Sequence, residues 1–348
     1  MDVFEALYTT RAMRRVKEDP IPDEIIKSMI DSAIRAPSGS NRQDWRFVAV
    51  TDQEVRTQLA DIYKETWDYY VKSFYNNSSD LGASNLKDKI GIVWLNRPEK
   101  KNALNDELWF GLPELVKELD ESDEVRVILI AAKGDTFSAG IDINLLVEAF
   151  DLNEDLKTNA KERIEIMEIT KKFQDAFTTV AKTQKPTIAA IQGFSIGGAT
   201  NLVASCDIRL STKDAQFSIG ESKLGLVADV GALQRMPKII SKGLLRELAY
   251  TGKTFDGEYA KEIGFVNHTF DTHEELINGA MELANEIASN SPLVMRGTKM
   301  ILDKGEELTS DQSLDLVRMW STSFLSSEDL KEGIFARMEK RDPKFKGQ

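Results

Sequence analysis

Apolar positions recur at helical spacing early in the chain. Ile25, Ile26, Met29, Ile30, Ala33 and Ile34 fall at i, i+3 and i+4 and predict an amphipathic helix. The turn at residues 20–23 starts it and Ala36-Pro37 stops it, because a residue before proline is pushed out of the helical region. After the polar loop at 38–44, the short apolar run Trp45-Arg-Phe-Val-Ala-Val50 predicts a strand, and the aromatic-rich residues 54–75 a helix. Residues 76–85 combine turn formers with no periodicity, which predicts a linker. The expected organisation is a front segment over 1–77, a linker over 78–86 and a larger unit over 87–348. Within the larger unit, apolar runs predict strands at 90–95, 125–131 and 186–191, each next to helical stretches. Such alternation is the pattern of an α/β architecture with right-handed crossovers.

Composition narrows the function classes. With 348 residues, 41% hydrophobic and 29% charged, the chain reads as a globular protein with a large core. A formal net charge of −12 repels a nucleic-acid backbone, and basic residues are interspersed with acids apart from Arg11, Arg14 and Arg15. No nucleic-acid partner is expected. Cys206 is the one cysteine, so no intramolecular disulfide forms; a reducing compartment and a small buried thiol are expected. His268 and His273 have no cysteine or second histidine at ligand spacing, which argues against a metal site and a Ser-His-Asp triad. The first residues lack a leader pattern, and no stretch approaches the roughly 20 apolar residues of a membrane span. The expectation is a cytoplasmic protein without a membrane partner.

Three stretches carry candidate chemistry. Gly193-Phe-Ser-Ile-Gly-Gly-Ala-Thr-Asn201 follows an expected strand and precedes a helical run. A glycine pair there suits either a tight packing turn or a close backbone approach to a ligand, with free helix-start amides aimed at developing negative charge. Asp135-Thr-Phe-Ser-Ala-Gly-Ile-Asp142 also follows an expected strand, and amides from two such loops converging on one oxygen form an oxyanion-stabilising site. Gly220-Glu-Ser-Lys-Leu-Gly-Leu-Val-Ala-Asp-Val-Gly231 places two acids in a mostly small and apolar run. They read either as surface acids or as a pair whose pKa values are held apart by their surroundings.

The motifs NRPEKKNALN at 96–105, FSAGIDI at 137–143, IAAIQGFSIGGA at 188–199 and CDIRLST at 206–212 resemble, in this order, the crotonase or enoyl-CoA hydratase/isomerase superfamily. Within it, residues 217–240 and the tail, from Leu314 through Met319-Trp320 to 328–340, are most similar to the Δ3,5-Δ2,4-dienoyl-CoA isomerases. The resemblance implies a ClpP-like α/β spiral of ββα units over 87–285. It also implies a C-terminal helical region over 286–348 that assembles a homotrimer or homohexamer. An acyl-CoA thioester substrate is implied, with no metal or organic cofactor required.

Carried over by position, the amides of Ile141 and Gly198 would form the oxyanion hole. Ala103, Leu104, Ala139, Gly140, Asp142 and Gly197 would line the CoA and substrate site. Glu221 and Asp229 fall on the proton-shuttling acids of the dienoyl-CoA isomerases, with Asp229 as base and Glu221 as acid. Asn201 stands where both hydratases and dienoyl-CoA isomerases usually carry an acid; an amide orients a neighbour but takes no proton. Half of the hydratase pair is thus missing while the isomerase pair is intact. The expected reaction is 3,5-dienoyl-CoA to 2,4-dienoyl-CoA isomerisation in fatty-acid β-oxidation, with enoyl-CoA hydration or another acyl-CoA reaction as the alternative.

Arg11-Ala-Met-Arg-Arg15 and Ala36-Pro-Ser-Gly-Ser-Asn-Arg-Gln-Asp-Trp-Arg-Phe47 resemble the FMN-dependent nitroreductases. That resemblance implies a small α+β segment in which Arg11 and Arg15 grip the flavin phosphate and Pro37, Ser38 and Asn41 meet the isoalloxazine ring. It stops before the family's remaining strands and flavin contacts. The segment then reads as a docked remnant, a half-site completed by a second copy, or a product of gene fusion. FMN and a flavin-dependent oxidoreductase are the expectation from another class.

Overall fold

A computed structural model describes residues 81–150 and 159–348. The expectations for residues 1–80, including the FMN contacts at Arg11, Arg15, Pro37, Ser38 and Asn41, lie outside the described residues. In chain order the strands are β1 (Leu81–Lys87), β2 (Ile90–Leu95), β3 (Val127–Ala132), β4 (Thr187–Ile191), β5 (Phe194–Ile196), β6 (Ile208–Thr212), β7 (Gln216–Ser218), β8 (Phe255–Asp256) and β9 (His268–Phe270). The helices are α1 (Asp106–Glu121), α2 (Ile143–Phe150), α3 (Ala160–Ala181), α4 (Gly198–Val203), α5 (Ala232–Arg235) and α6 (Lys242–Thr251). They continue as α7 (Gly257–Glu262), α8 (His273–Ser289), α9 (Pro292–Gly305), α10 (Ser310–Phe324) and α11 (Glu328–Glu339).

Strand runs such as Ile90–Leu95 and Val127–Ala132 are apolar without alternation, as befits a parallel sheet covered on both faces. They form a six-stranded sheet in the order β1-β2-β3-β4-β6-β9, parallel except for β1. Along β3, Ile128, Ile130 and Ala132 enter one core while Val127, Leu129 and Ala131 enter the other. The first core takes Leu108, Trp109, Leu112 and Val116 of α1 with Phe173 and Phe177 of α3. The second takes Leu276, Ala280, Ala284 and Ala288 of α8, four residues apart, and the alanines let that helix lie close to the sheet. Cys206 is buried, as expected, and burial pushes its thiol up to about 12.

The sheet starts earlier than the residue pattern indicates. Part of the expected linker is β1, which pairs with β2 in the register Lys87↔Ile90, Leu86↔Gly91 and Asn85↔Ile92. The two strands are joined by Asp88 and Lys89, both left-handed at φ 51° and 70°, the conformation of a two-residue hairpin turn. Backbone pairing needs no apolar side chain, and Asp-Lys lacks the Asn-Gly or Asp-Gly signature of such turns.

At Gly193 the chain leaves β4 for a second, three-stranded sheet in the order β5-β7-β8. A Cβ on Gly193 (φ 57°) would lie 2.1 Å from the Asp135 carbonyl oxygen, so only glycine allows that approach. The C-terminal helices are anchored by Lys299 of α9. Its buried ammonium donates to Asp207 Oδ2 at 2.7 Å, Thr183 Oγ1 at 3.0 Å and the Lys185 carbonyl at 3.1 Å.

Candidate active site

Two loops are zipped together beside the small sheet. Ser138 N–H donates to the Phe194 carbonyl at 2.8 Å, and Ile196 N–H donates to the Ser138 carbonyl at 3.3 Å. Three residues on, Leu104 N–H donates to the Gly140 carbonyl at 2.7 Å and Asp142 N–H to the Leu104 carbonyl at 3.0 Å. In this parallel bridge the neighbours of Ile141 make the bonds, so the Ile141 N–H faces the opposite side. Gly198 opens α4 just after Gly197 (φ 53°, ψ −115°), and its N–H is one of the donors that a helix start leaves unused. A Cβ on Gly140 (φ 95°) would come within 2.5 Å of the Ile196 carbonyl oxygen and 3.8 Å of the Gly198 nitrogen. The Gly140 backbone therefore lies close to the Gly198 nitrogen. Behind Gly198 stands Trp109, buried between Phe173 and Phe177 at 4.9 and 4.8 Å, with Nε1–H donating to the Phe173 carbonyl at 3.2 Å.

The loops are held by groups that the motif spacing does not single out. Asn102, fully buried and left-handed at φ 50°, accepts from Arg97 N–H at 2.7 Å and donates to the Lys133 and Thr136 carbonyls at 2.9 and 2.6 Å. Arg97 Nη1 donates to Asp142 Oδ2 at 2.6 Å and to the Ala103 carbonyl at 3.1 Å. The hydrogen bond from Arg97 holds the Asp142 carboxyl below its usual pKa, and its other oxygen accepts from Asn144 N–H at 3.0 Å. Asp142, expected beside CoA, thus brackets the loop. Leu104, expected there too, is wholly buried and contributes its backbone, whereas Ala139 is exposed and Ala103 and Gly197 are half-buried. The one sequence signal for Asn102 is its type, since asparagine tolerates the left-handed region best after glycine. Asn102→Ala is expected to lower unfolding stability by about 2 kcal/mol, because it removes the partner of one buried and two part-buried backbone groups. Urea denaturation checks this.

Glu221 sits on the 3-10 turn Gly220–Leu224 after β7, its carboxyl over Gly197, where a Cβ would lie 3.6 Å from Oε1. Oε1 accepts from Asn201 Nδ2 at 2.8 Å, while Oε2 is buried without a partner. Burial raises the Glu221 pKa and the Asp229 charge raises it further, against the pull of its own backbone N–H and of Asn201. Asp229 is exposed on its outer side, yet the protein packed behind it raises its pKa as well. Its backbone is pinned by Gln174 Nε2 of α3, which donates to the Asp229 carbonyl at 2.8 Å. Of the apolar residues between the two acids, Leu224, Leu226 and Val227 are 62%, 42% and 71% exposed and Ala228 is buried. The hydrogen-bonded contact on the Glu221 carboxyl comes from Asn201 beside Gly197. Leu226, Val227 and Ala228 line a cavity of about 680 Å³ together with Glu221 and with Leu245 and Tyr250 of α6. Among the described residues no three His, Cys, Asp or Glu gather as a metal-binding group.

The enoyl-CoA hydratase/isomerase family model matches residues 85–348, and the nitroreductase family model matches residues 7–116, so the two overlap across β1 to α1. The chain is 38% identical over 261 residues to a peroxisomal Δ(3,5)-Δ(2,4)-dienoyl-CoA isomerase of Arabidopsis thaliana, covering 75% of this chain and 94% of that relative. It is 36% identical over 272 residues to a mitochondrial Δ(3,5)-Δ(2,4)-dienoyl-CoA isomerase of Mus musculus, covering 77% and 82%. An enoyl-CoA hydratase crystal structure from Bacillus anthracis superposes with a TM-score of 0.68 at 27% identity, covering 77% of this chain and 100% of that one. Since those two isomerases are named for organelles, the cytoplasmic expectation narrows to a statement about the chain itself. Among the described residues, no helix is long and apolar enough to cross a membrane.

Proposed function

Because the chain belongs to the enoyl-CoA hydratase/isomerase family, we propose that it is an acyl-CoA double-bond isomerase converting 3,5-dienoyl-CoA to 2,4-dienoyl-CoA in fatty-acid β-oxidation. One observation carries the reading: Glu221 presents a buried, unpartnered carboxyl oxygen beside the Gly197-Gly198 turn, within reach of the charge of Asp229. The thioester oxygen lies between the Ile141 and Gly198 amides, which stabilise the charge that develops there. Asp229 removes a proton from C2, electrons move through the conjugated system, and Glu221 delivers a proton to C6. Each turnover leaves Asp229 protonated and Glu221 ionised, so before the next Asp229 releases its proton and Glu221 takes one up. The solvent-facing side of Asp229 suits exchange with water. Apolar side chains exposed on and beside α10 and α11, among them Leu314, Met319, Leu325 and Phe335, support assembly as a homotrimer or homohexamer.

The test is a substrate panel followed by absorbance. The chain is expected to turn over 3,5-dienoyl-CoA and to hydrate crotonyl-CoA at least roughly 100-fold more slowly, since position 201, where the hydratase pair has its second carboxylate, is an amide. Equal hydration would move the chain to the hydratases. A second reading, flavin binding through Arg11, Arg15, Pro37, Ser38 and Asn41, is favoured by the nitroreductase match over 7–116. In the same panel, turnover is expected to be independent of added FMN; bound flavin absorbance on the full chain would support that second reading.

A further inference from the structure

We propose that Asn201 is a positioning residue that assigns the transferable proton to one oxygen of Glu221 and ties that carboxyl to the segment bearing Asp229. The inference rests on the isomerase reading for its catalytic meaning, but its geometry stands apart from it. Asn201 is fully buried. Nδ2 donates to the Gly197 carbonyl at 2.9 Å and to Glu221 Oε1 at 2.8 Å, and Oδ1 accepts from Ala232 N–H at 2.5 Å. The amide orientation is forced: turned over, its oxygen would face two oxygens and its NH₂ would face an N–H.

Two consequences follow. With Oε1 already receiving an N–H, a proton on Glu221 belongs on Oε2, the oxygen that is buried and free of partners. That oxygen is the one able to donate to a substrate. Ala232, which opens α5, comes three residues after Asp229, and Gln174 holds the Asp229 carbonyl from α3. Asn201 therefore joins the Gly197 turn, the Glu221 carboxyl and the Asp229 segment through one uncharged group. An ionised acid at position 201 would set an acceptor against the Gly197 carbonyl and Glu221. A protonated one would offer a single donor where two acceptors wait.

The other titratable groups around the Glu221 carboxyl are Asp229 and, lining the same cavity from α6, Lys242, Arg246 and Tyr250. Of these, Asp229 is the one whose charge acts on Glu221. None of them replaces the two donors that Asn201 supplies.

The experiment compares Asn201→Ala and Asn201→Asp with the parent chain, using Glu221→Gln to identify the infrared carboxyl band of Glu221. In Asn201→Ala the carboxyl loses its donor and keeps its proton longer, so the band is expected to titrate about one pH unit higher. With 3,5-dienoyl-CoA, kcat is expected to fall roughly 10- to 100-fold while KM stays within about threefold. Asn201→Asp, which matches the parent in size and remains informative if the alanine variant does not fold, is expected to show two coupled titration steps. A Glu221 band that titrates at the parent pH in both variants would overturn the inference, as would kcat and KM that move only in step with a lowered melting midpoint. If the parent chain leaves 3,5-dienoyl-CoA untouched, the isomerase reading fails, and the infrared titration alone still decides the role of Asn201.

Discussion

Glu221→Gln is expected to lower turnover of 3,5-dienoyl-CoA by about 10²- to 10⁴-fold, and Asp229→Asn by a comparable factor, because each removes one partner of a proton transfer. The pH profile separates the two. Glu221 donates only while protonated, and its raised pKa extends that form upward in pH, so the rate falls as pH rises through it. Asp229 accepts only while ionised, and its raised pKa means that the rate falls as pH drops through it. Glu221→Gln is expected to remove the high-pH limb from any residual activity, and Asp229→Asn the low-pH limb. Stability falls with rising pH as well. A carboxyl whose folded pKa lies above its unfolded one costs nothing below the unfolded pKa, and its penalty grows as pH rises from there and is complete above the folded value. Glu221→Gln keeps an acceptor for Asn201 and removes that penalty, so the variant is expected to unfold no more easily than the parent at neutral pH. Near-parent rates in both variants would refute the two-carboxyl shuttle.

The second large effect lies in the backbone. Gly140→Ala is expected to reduce kcat by about 10²- to 10³-fold, the size associated with losing one oxyanion donor. Two constraints act together at this position. The left-handed φ of 95° disfavours any side chain, and the new Cβ would stand 2.5 Å from the Ile196 carbonyl oxygen, a backbone atom that cannot rotate away. Relief requires the 139–142 loop to withdraw, which carries the Ile141 N–H off the position proposed for the thioester oxygen. Calorimetric binding of a saturated acyl-CoA should weaken much less than kcat falls, since the charge that needs the amide develops only in the transition state. Unchanged kcat would mean that the Ile141 amide does not serve the reaction.

Much of the fold was legible along the chain. The strand at Ile90–Leu95 appears where the pattern places it, and those expected at 125–131 and 186–191 appear as Val127–Ala132 and Thr187–Ile191. A strand buried on both faces is mostly apolar without alternation, and such a run is visible without knowing its neighbours. The hairpin at Asp88 and Lys89 was not legible, because its pairing rests on backbone groups that every residue carries. Nor was the surround of Glu221. The apolar character of the run suggested walls, yet Leu224 is exposed and away from the cavity, Val227 lines that cavity's rim while 71% exposed, and the hydrogen-bonded contact on the Glu221 carboxyl comes from Asn201 beside Gly197.

Residue type and order determined by themselves that this is an α/β chain, that glycines mark the loops at 135–142 and 193–201, and that two acids stand in one apolar run. Burial of apolar area is non-directional and leaves its mark on composition and spacing. Only the tertiary structure decided that Asn102 closes the 97–136 turn, that Asp142 pairs with Arg97, and that Asn201 occupies one oxygen of Glu221 and leaves the other free. Those are hydrogen bonds between groups 20 to 45 residues apart, or linked through them, and they depend on angle and on distances near 3 Å. Direction of that kind exists only after the chain has folded, which is why the proton's position on Glu221 could not be read from its neighbours in sequence.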